Sequence, residues 1–313
     1  MAPEVAICIT TFRRPDGLKR LLQSIDQLTF TRGAPPGITV IVVDNDAAGP
    51  LEASHPDLRS WTRWPLDYRV EPRRGVSHAR NAALRAAGKD VDFIAFVDDD
   101  EWVSAGWLEA LLEMQRRVNC TVVQGPVLPV FENEPLPWMA LGRFYEVGPF
   151  ENGKPIAYGA TGNCLIRKEA IDALGLTFDM RFNLSGGEDL EFFDRLSRAG
   201  HTIVAASEAI AYEWVPAARM RFGWVMRRGF RTGHSLGLIS IARGSPRGYA
   251  NRIAKSAGRL LKGLAELSIL GIFDRVRAVR GAVNVAWAVG TLAAFAHVKV
   301  DHYGAPAVNS QGR

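Results

Sequence analysis

Over the first third of the chain, short apolar runs alternate with longer stretches whose apolar residues return every three or four positions. Residues 5–9, 38–43, 68–70 and 93–97 are compact runs rich in β-branched and aromatic side chains, and they predict strands. Residues 16–28 place Leu18, Leu21, Leu22, Ile25 and Leu28 on one face of a helix. Residues 77–87 and 104–117 also predict helices, the first stopped by Gly88. This βαβα rhythm predicts an α/β fold, a mostly parallel sheet flanked by helices on both faces. In such sheets ligands bind beyond the carboxyl ends of the strands.

The rhythm then changes. Residues 122–125 read as a strand leading into a Pro-rich loop over 126–149, and 160–166 as a turn followed by a strand. Gly186-Gly187 precedes a helix over 188–198 that stops at Gly200, and a strand follows at 202–205. Beyond Gly244 the pattern is helical and amphipathic. Ile253, Ala257, Leu260, Leu261, Leu264 and Leu267 share one face, with Arg252, Lys255, Arg259 and Lys262 on the other. Residues 281–298 carry no formal charge but include Asn284, Gly290, Thr291 and His297. A spanning helix needs ~20 predominantly apolar residues, so interfacial embedding is favoured over a span. Two regions are expected: a catalytic α/β domain over 1–240 and a basic, amphipathic helical region over 241–313.

Charge sharpens this division. The net charge is +5, yet between Trp214 and Ala265 there are eleven Lys and Arg and no Asp or Glu. The remainder is acidic in balance. Such a block implies an anionic partner. No stacking platform or recognised module accompanies it, which argues against nucleic acid and for an anionic membrane surface. Cys8, Cys120 and Cys164 are scattered and lack metal-ligand spacing, as expected of reduced core thiols in the cytosol. The chain enters its first strand without a basic-apolar leader. The expected location is the cytosolic face of the cell membrane, peripheral or monotopic.

The candidate chemistry lies at Asp98-Asp99-Asp100, directly after the apolar run 93–97. Three adjacent carboxylates at a strand exit repel one another unless a cation or hydrogen bonds compensate. Hard oxygen ligands suit Mg2+ or Mn2+, ions that commonly arrive with a phosphorylated substrate. No Gly-x-Gly-x-x-Gly follows the first strand, which weighs against a dinucleotide site.

Six motifs occur in order: Ile9-Thr10-Thr11-Phe12-Arg13-Arg14, Val42-Val43-Asp44-Asn45, Arg74-Gly75-Val76-Ser77-His78-Ala79-Arg80-Asn81, Phe96-Val97-Asp98-Asp99-Asp100, Thr161-Gly162-Asn163 and Gly187-Glu188-Asp189. Together they resemble the family 2 glycosyltransferases of GT-A fold. The resemblance implies transfer of a sugar from a nucleotide diphosphate donor to a hydroxyl acceptor, with inversion and a divalent cation. It assigns Asp98 to the ribose or metal shell, Asp100 to the metal, and Asp99, between them, to the donor side. It also implies that Asp44 contacts the nucleoside and that Thr10 and Thr11 contact the nucleotide. Arg13, Arg74 and Arg80 then face the diphosphate or base, and Asn163 lies near the transferred sugar. Asp189 is the candidate catalytic base, with Glu188 beside it adding a like charge. Each has a plainer structural reading. For Asp44 that is an Asx turn, for Asn163 a turn residue, for the arginines a solvated face, and for Glu188 and Asp189 acids that complement a helix dipole.

Glu213 stands where some family members carry a metal-binding His. The Gln-x-x-Arg-Trp pattern of processive synthases is absent, so single-sugar transfer is expected. The acceptor is a lipid-linked sugar or a surface-polysaccharide precursor. The alternatives are a sugar-phosphate nucleotidyltransferase, disfavoured because Thr10–Pro15 lacks a Gly-rich loop, and a non-catalytic basic protein that binds nucleic acid or membrane.

Overall fold

The structure is a computed structural model and describes residues 2–270, 274–298 and 300. Its strands are β1 (Glu4–Thr11), β2 (Gly37–Asp44), β3 (Leu66–Val70), β4 (Phe93–Phe96), β5 (Glu101–Val103), β6 (Val122–Gln124), β7 (Val127–Phe131), β8 (Cys164–Arg167), β9 (Ile203–Ala205) and β10 (Ala211–Val215). Its helices are α1 (Pro15–Asp26), α2 (Leu51–Ser54), α3 (Val76–Ala86), α4 (Trp107–Val118), α5 (Pro137–Gly142), α6 (Lys168–Ala173), α7 (Glu188–Arg198), α8 (Phe222–Ala242), α9 (Pro246–Ala265) and α10 (Arg275–Phe295). The chain divides into two compact units. The first comprises the chain up to Asn133, Tyr145–Asp179 and Asp189–Pro216; the second comprises Glu134–Phe144, Met180–Glu188 and the chain from Ala217 onward. The second unit thus begins ahead of the boundary expected near residue 240, because α8 packs with α10.

The first unit is α/β and holds every described strand. A seven-stranded sheet has the order β3-β2-β1-β4-β8-β6-β9, with only β8 antiparallel to its neighbours. Alternation along β1 explains why it is central. Val5, Ile7 and Ile9 pack with Leu18, Leu21, Leu22 and Ile25 of α1 and with Trp107, Leu108 and Leu111 of α4. Ala6 and Cys8 face the other way, into a core with Ala79 and Ala83 of α3 and Phe192, Phe193 and Leu196 of α7. A strand buried on both faces reads as a continuous apolar run. Each large side chain so buried contributes about 1.5–3 kcal/mol. The three cysteines are buried free thiols.

A smaller sheet has the order β5-β10-β7. One of its strands and a neighbouring helix correct the sequence reading. The stretch 126–149 is not loop throughout, because Val127–Phe131 forms β7 parallel to β10, and Pro137–Gly142 forms α5. Pro129 hid that strand. As an edge strand, β7 tolerates the missing N–H.

The second unit is helical. Its longest helix at the N-terminal side, α8, went unread because Gly229, Gly233 and Gly237 dilute its pattern. The glycines exist for packing: a Cβ on Gly233 would lie 1.8 Å from the Trp287 carbonyl oxygen of α10. Thr291 Oγ1 donates to the Gly233 carbonyl at 3.0 Å across the same seam. α9 meets α10 where Gly263 and Gly281 face each other's carbonyls. The division drawn for α9 also needs correction. Arg252, placed on its solvated face, is buried, and its Nε donates to Ser240 Oγ at 3.1 Å. Ile253, Leu261, Leu264 and Leu267, placed on its apolar face, are exposed. Residues 271–273, 299 and 301–313 of the expected helical region lie outside the described residues.

Candidate active site

In the large sheet, β2 and β3 lie to one side of β1 and β4 lies to the other. The loops leaving β1 and β4 therefore diverge, which opens a crevice at the carboxyl edge, the ligand position in open α/β sheets. Thr10 and Thr11 end β1, and the acidic triplet follows β4 immediately.

The three acids have different surroundings. Asp99 is buried, with Oδ2 accepting from Thr11 Oγ1 at 2.9 Å and Oδ1 from Arg14 Nη1 at 2.7 Å. The same Arg14 nitrogen donates to Asp100 Oδ2 at 3.0 Å. Asp98 Oδ1 accepts from Arg80 Nη2 at 3.1 Å, while its backbone N–H donates to Glu101 Oε2 at 3.1 Å. Glu101 is buried and stands opposite Glu213 in the β5–β10 ladder. The Trp214 N–H donates to the Asp100 carbonyl at 2.9 Å, so β10 lies against the triplet's main chain.

Four consecutive acids thus share two guanidinium groups. Burial, then the charges of Asp98 and Asp100, push the Glu101 carboxyl well above the usual range. Burial raises Asp99 to about 6, against the pull of Arg14. Asp98 is also raised, first by burial, with Arg80 opposing and with Asp100 and Asp189 adding to the rise. Asp189 sits half-buried in the first turn of α7, where its Oδ1 accepts from the Leu190 N–H at 2.7 Å.

Among the described residues, no three His, Cys, Asp or Glu side chains converge on a ready metal centre. Mg2+ typically takes one or two protein carboxylates and completes its shell with water and substrate phosphates. Asp98 and Asp100 are donors of that kind, and with Asp99 and Glu101 they set four carboxyl groups in one run at the end of β4. The residues present fit a divalent cation.

Other expected site residues are braces in this fold. Asp44 is fully buried and accepts from the Asp46 N–H (2.9 Å), the Leu51 N–H (2.8 Å) and the Tyr68 hydroxyl (2.6 Å). Its plainer reading, an Asx turn, is what the geometry forms, and it also secures the start of α2. Asn163, expected near the sugar, is likewise buried: it accepts from Trp107 Nε1 at 2.7 Å and donates to the Pro126 and Ala209 carbonyls, each at 2.7 Å. It locks the turn that carries Thr161 and Gly162. Gly187 lies close against α8. A Cβ there would lie 2.4 Å from Ser235 of α8, and Ser235 Oγ donates to the Gly186 carbonyl. Glu188 is buried at the start of α7. Arg13 is exposed and pairs with Asp46, and Arg74 is exposed on the loop that Asn45 staples through the Glu71 and Arg73 carbonyls.

Two participants were missed. Arg14 is the residue before Pro15, the first position of α1, so a helix start forced it beside a strand end; that proline was the available signal. Glu101 extends the acidic run to four, but its burial depends on pairing with β10, which the sequence did not reveal.

The sheet is of GT-A type, with the acidic triplet at its switch point. The profile of Glycosyl transferase family 2 matches residues 6–175, and the chain belongs to that family and is a glycosyltransferase. It is 33% identical over 309 residues to the succinoglycan biosynthesis protein ExoM of Rhizobium meliloti (strain 1021), covering 98% of this chain and 97% of that protein. Its fold is similar to that of the mannosyltransferase PcManGT from Pyrobaculum calidifontis in complex with GDP-Man and Mn2+, with a TM-score of 0.60 and 16% identity over 93% of this chain and 88% of that one. It is also similar to S. aureus TarS 1-349 in complex with UDP-GlcNAc, with a TM-score of 0.52 and 14% identity over 94% of this chain and 92% of that one.

Proposed function

We propose that this glycosyltransferase is an inverting enzyme of polysaccharide biosynthesis. It moves one sugar from a nucleoside diphosphate donor to a hydroxyl of a lipid-linked sugar or surface-polysaccharide precursor, at the cytosolic face of a membrane. The full-length similarity to a succinoglycan biosynthesis protein supports the pathway class, and the neighbours that bind GDP-Man and UDP-GlcNAc support the donor class. The observation that supports the reading best is the acidic triplet leaving β4 at the carboxyl edge of the sheet, with Asp98 bonded to Arg80 and Asp99 and Asp100 bonded to Arg14.

Asp98 and Asp100 would hold Mg2+ or Mn2+, which supplies Lewis-acid stabilisation of the departing diphosphate. The protein's own groups do the rest. Arg14 and Arg80 orient the triplet and present guanidinium groups suited to phosphate oxygens. Thr10, Arg13 and Arg74 line the approach of the nucleotide, while Thr11, Asp44, Asp99 and Asn163 hold the loops in place. Glu213 adds an oxygen donor on the β10 side. The acceptor oxygen attacks the anomeric carbon from the face opposite the leaving diphosphate. Asp189 takes the hydroxyl proton as the new glycosidic bond forms and the carbon–oxygen bond to phosphate breaks.

The test is Asp189→Asn, read by calorimetry and by turnover. Nucleotide binding is expected to persist while transfer falls by about 10³-fold. Normal turnover would falsify the assignment of the base. A panel of UDP-, GDP- and dTDP-sugars with and without Mn2+ reports donor class. In the same assay Asp100→Ala is expected to abolish the ion-dependent gain in affinity, and an undiminished gain removes Asp100 from the metal site.

A further inference from the structure

We infer that the helical unit is built to lie in an anionic lipid leaflet, with Ile253, Leu261 and Leu264 of α9, Leu267 just after it, and Val289 and Leu292 of α10 as its immersed surface. The inference rests on the membrane placement proposed above and names the surface and the lipid charge it lacks.

The first argument is that α9 is inside out and that α10 leaves large apolar side chains exposed. In water a partly exposed helix buries its apolar stripe and shows polar residues to solvent. Along α9 the buried residues are Arg252, Ser256 and Gly263, while three of its large apolar side chains are exposed, Leu261 at 68%. α10 buries Val279, Trp287 and Ala288 together with the polar Asn284 and Thr291, and it leaves Val289 and Leu292 exposed at 46% and 45%. Asn284 Nδ2 donates to Glu266 Oε2 at 2.8 Å, and Thr291 Oγ1 donates to the Gly233 carbonyl, so these two buried side chains bond within the unit.

The seams give the second argument. α8 and α10 run parallel, with Gly229 on Val283, Gly233 on Trp287 and Gly237 on Thr291 and Ala294. α9 returns antiparallel, with Gly263 on Gly281 and Tyr249 against Phe295. Small residues at four-residue spacing with hydroxyl and amide bonds across the seam are how helices associate where lipid removes the hydrophobic drive. Leucines left outside such a seam face hydrocarbon at no cost.

Charge chooses the lipid. The eleven Lys and Arg between Trp214 and Ala265 have no acidic residue among them. Lys255, Arg259 and Lys262 are exposed on α9, the helix that also exposes the leucines. Apolar side chains flanked by cations fit an interfacial helix on anionic headgroups. α10 is long and apolar enough to cross a membrane, with mean hydropathy 1.3. The exposed cations of α9 favour an in-plane position for the unit.

The experiment is vesicle flotation of the full chain, using phosphatidylcholine alone and phosphatidylcholine with a third phosphatidylglycerol. Wild type is expected to bind the anionic vesicles at least tenfold more tightly. Leu261→Glu combined with Leu264→Glu should lose at least tenfold, and Lys255→Ala combined with Lys262→Ala should lose the salt dependence. Both pairs are exposed, and circular dichroism checks their folding. Three outcomes overturn the inference: wild type that stays unbound, a double glutamate variant that floats like wild type, and a wild-type dimer that the glutamates dissociate while no vesicle binding is seen. The last would make a second copy the occupant of this face. Nucleotide calorimetry on the same preparations separates this inference from the catalytic reading, since loss of vesicle binding with nucleotide binding intact counts against the membrane surface alone.

Discussion

The α/β unit and the helical unit solve the burial problem in opposite ways. The α/β unit carries twenty Lys and Arg against twenty-eight Asp and Glu, and the helical unit eighteen against five. Among the described residues, twelve of the sixteen exposed large apolar side chains belong to the helical unit, although it is the smaller of the two. The α/β unit fills its interior with Ile, Leu, Val and Phe and places its polar chemistry at a strand edge. The helical unit sets Gly, Ser, Thr and Asn into its seams beside apolar residues such as Leu236, Ile239 and Trp287, and leaves Leu261, Leu264 and Leu267 exposed. The difference teaches that composition alone misleads here: the same leucine is a core residue in α1 and a surface residue in α9.

The sharpest way to break the comparison is to attack a glycine seam. Gly233→Val puts side-chain atoms where the Trp287 carbonyl oxygen already stands, 1.8 Å from the Cβ position. The helices must part, and the Thr291 bond to the Gly233 carbonyl goes with them. The expected loss exceeds about 4 kcal/mol, beyond ordinary overpacking because a backbone atom cannot rotate away. Gly258 of α9 is the control. Nothing lies within 4 Å of its Cβ position, so Gly258→Ala should leave stability unchanged or raise it by up to about 1 kcal/mol. Urea unfolding of the two variants decides. Equal stabilities would mean that the seam is not close-packed.

The same contrast explains what could be read from the sequence. In the α/β unit periodicity and burial agree, so β1, β2, β4, α1 and α3 emerged within a residue or two of their ends. The order of site motifs followed, because strand ends fix where Thr11, Asp44 and Asp98 must lie. Partners brought in from distant sequence were invisible. Glu101 acquires its burial from β10, more than a hundred residues away, and Asn163 its from Trp107, Pro126 and Ala209. In the helical unit the amphipathic rule itself was inverted. The pattern located α9 and assigned its faces wrongly, since Arg252 found Ser240 instead of solvent.

A second, smaller effect sharpens the comparison from the acidic side. Burial holds the Asp99 carboxyl at about 6, above the ordinary Asp value. Below pH ~4 both folded and unfolded chains carry the proton, and folding is not penalised. As pH rises from about 4 to about 6, the unfolded chain releases it while the folded chain retains it. Stability therefore falls through that window and levels above it. The amount is on the order of 3 kcal/mol, and Glu101, raised in the same direction, adds to it. Urea titrations from pH 4 to 7 in chelator should show this slope for wild type and a shallower one for Asp99→Asn. An unchanged slope would remove Asp99 as its source.

The smallest expected effect is the most diagnostic. Leu21 of α1 is fully buried, and Leu264 of α9 is 49% exposed. Leu21→Ala should cost about 2–5 kcal/mol, the transfer free energy plus that of the cavity left behind. Leu264→Ala opens no cavity and should change stability in lipid-free buffer by less than about 0.5 kcal/mol. If the leucine face of α9 were instead covered within the folded protein, the two truncations would converge. A Leu264→Ala cost approaching that of Leu21→Ala would therefore show that α9 buries its leucines after all, and the contrast between the two units would disappear with it.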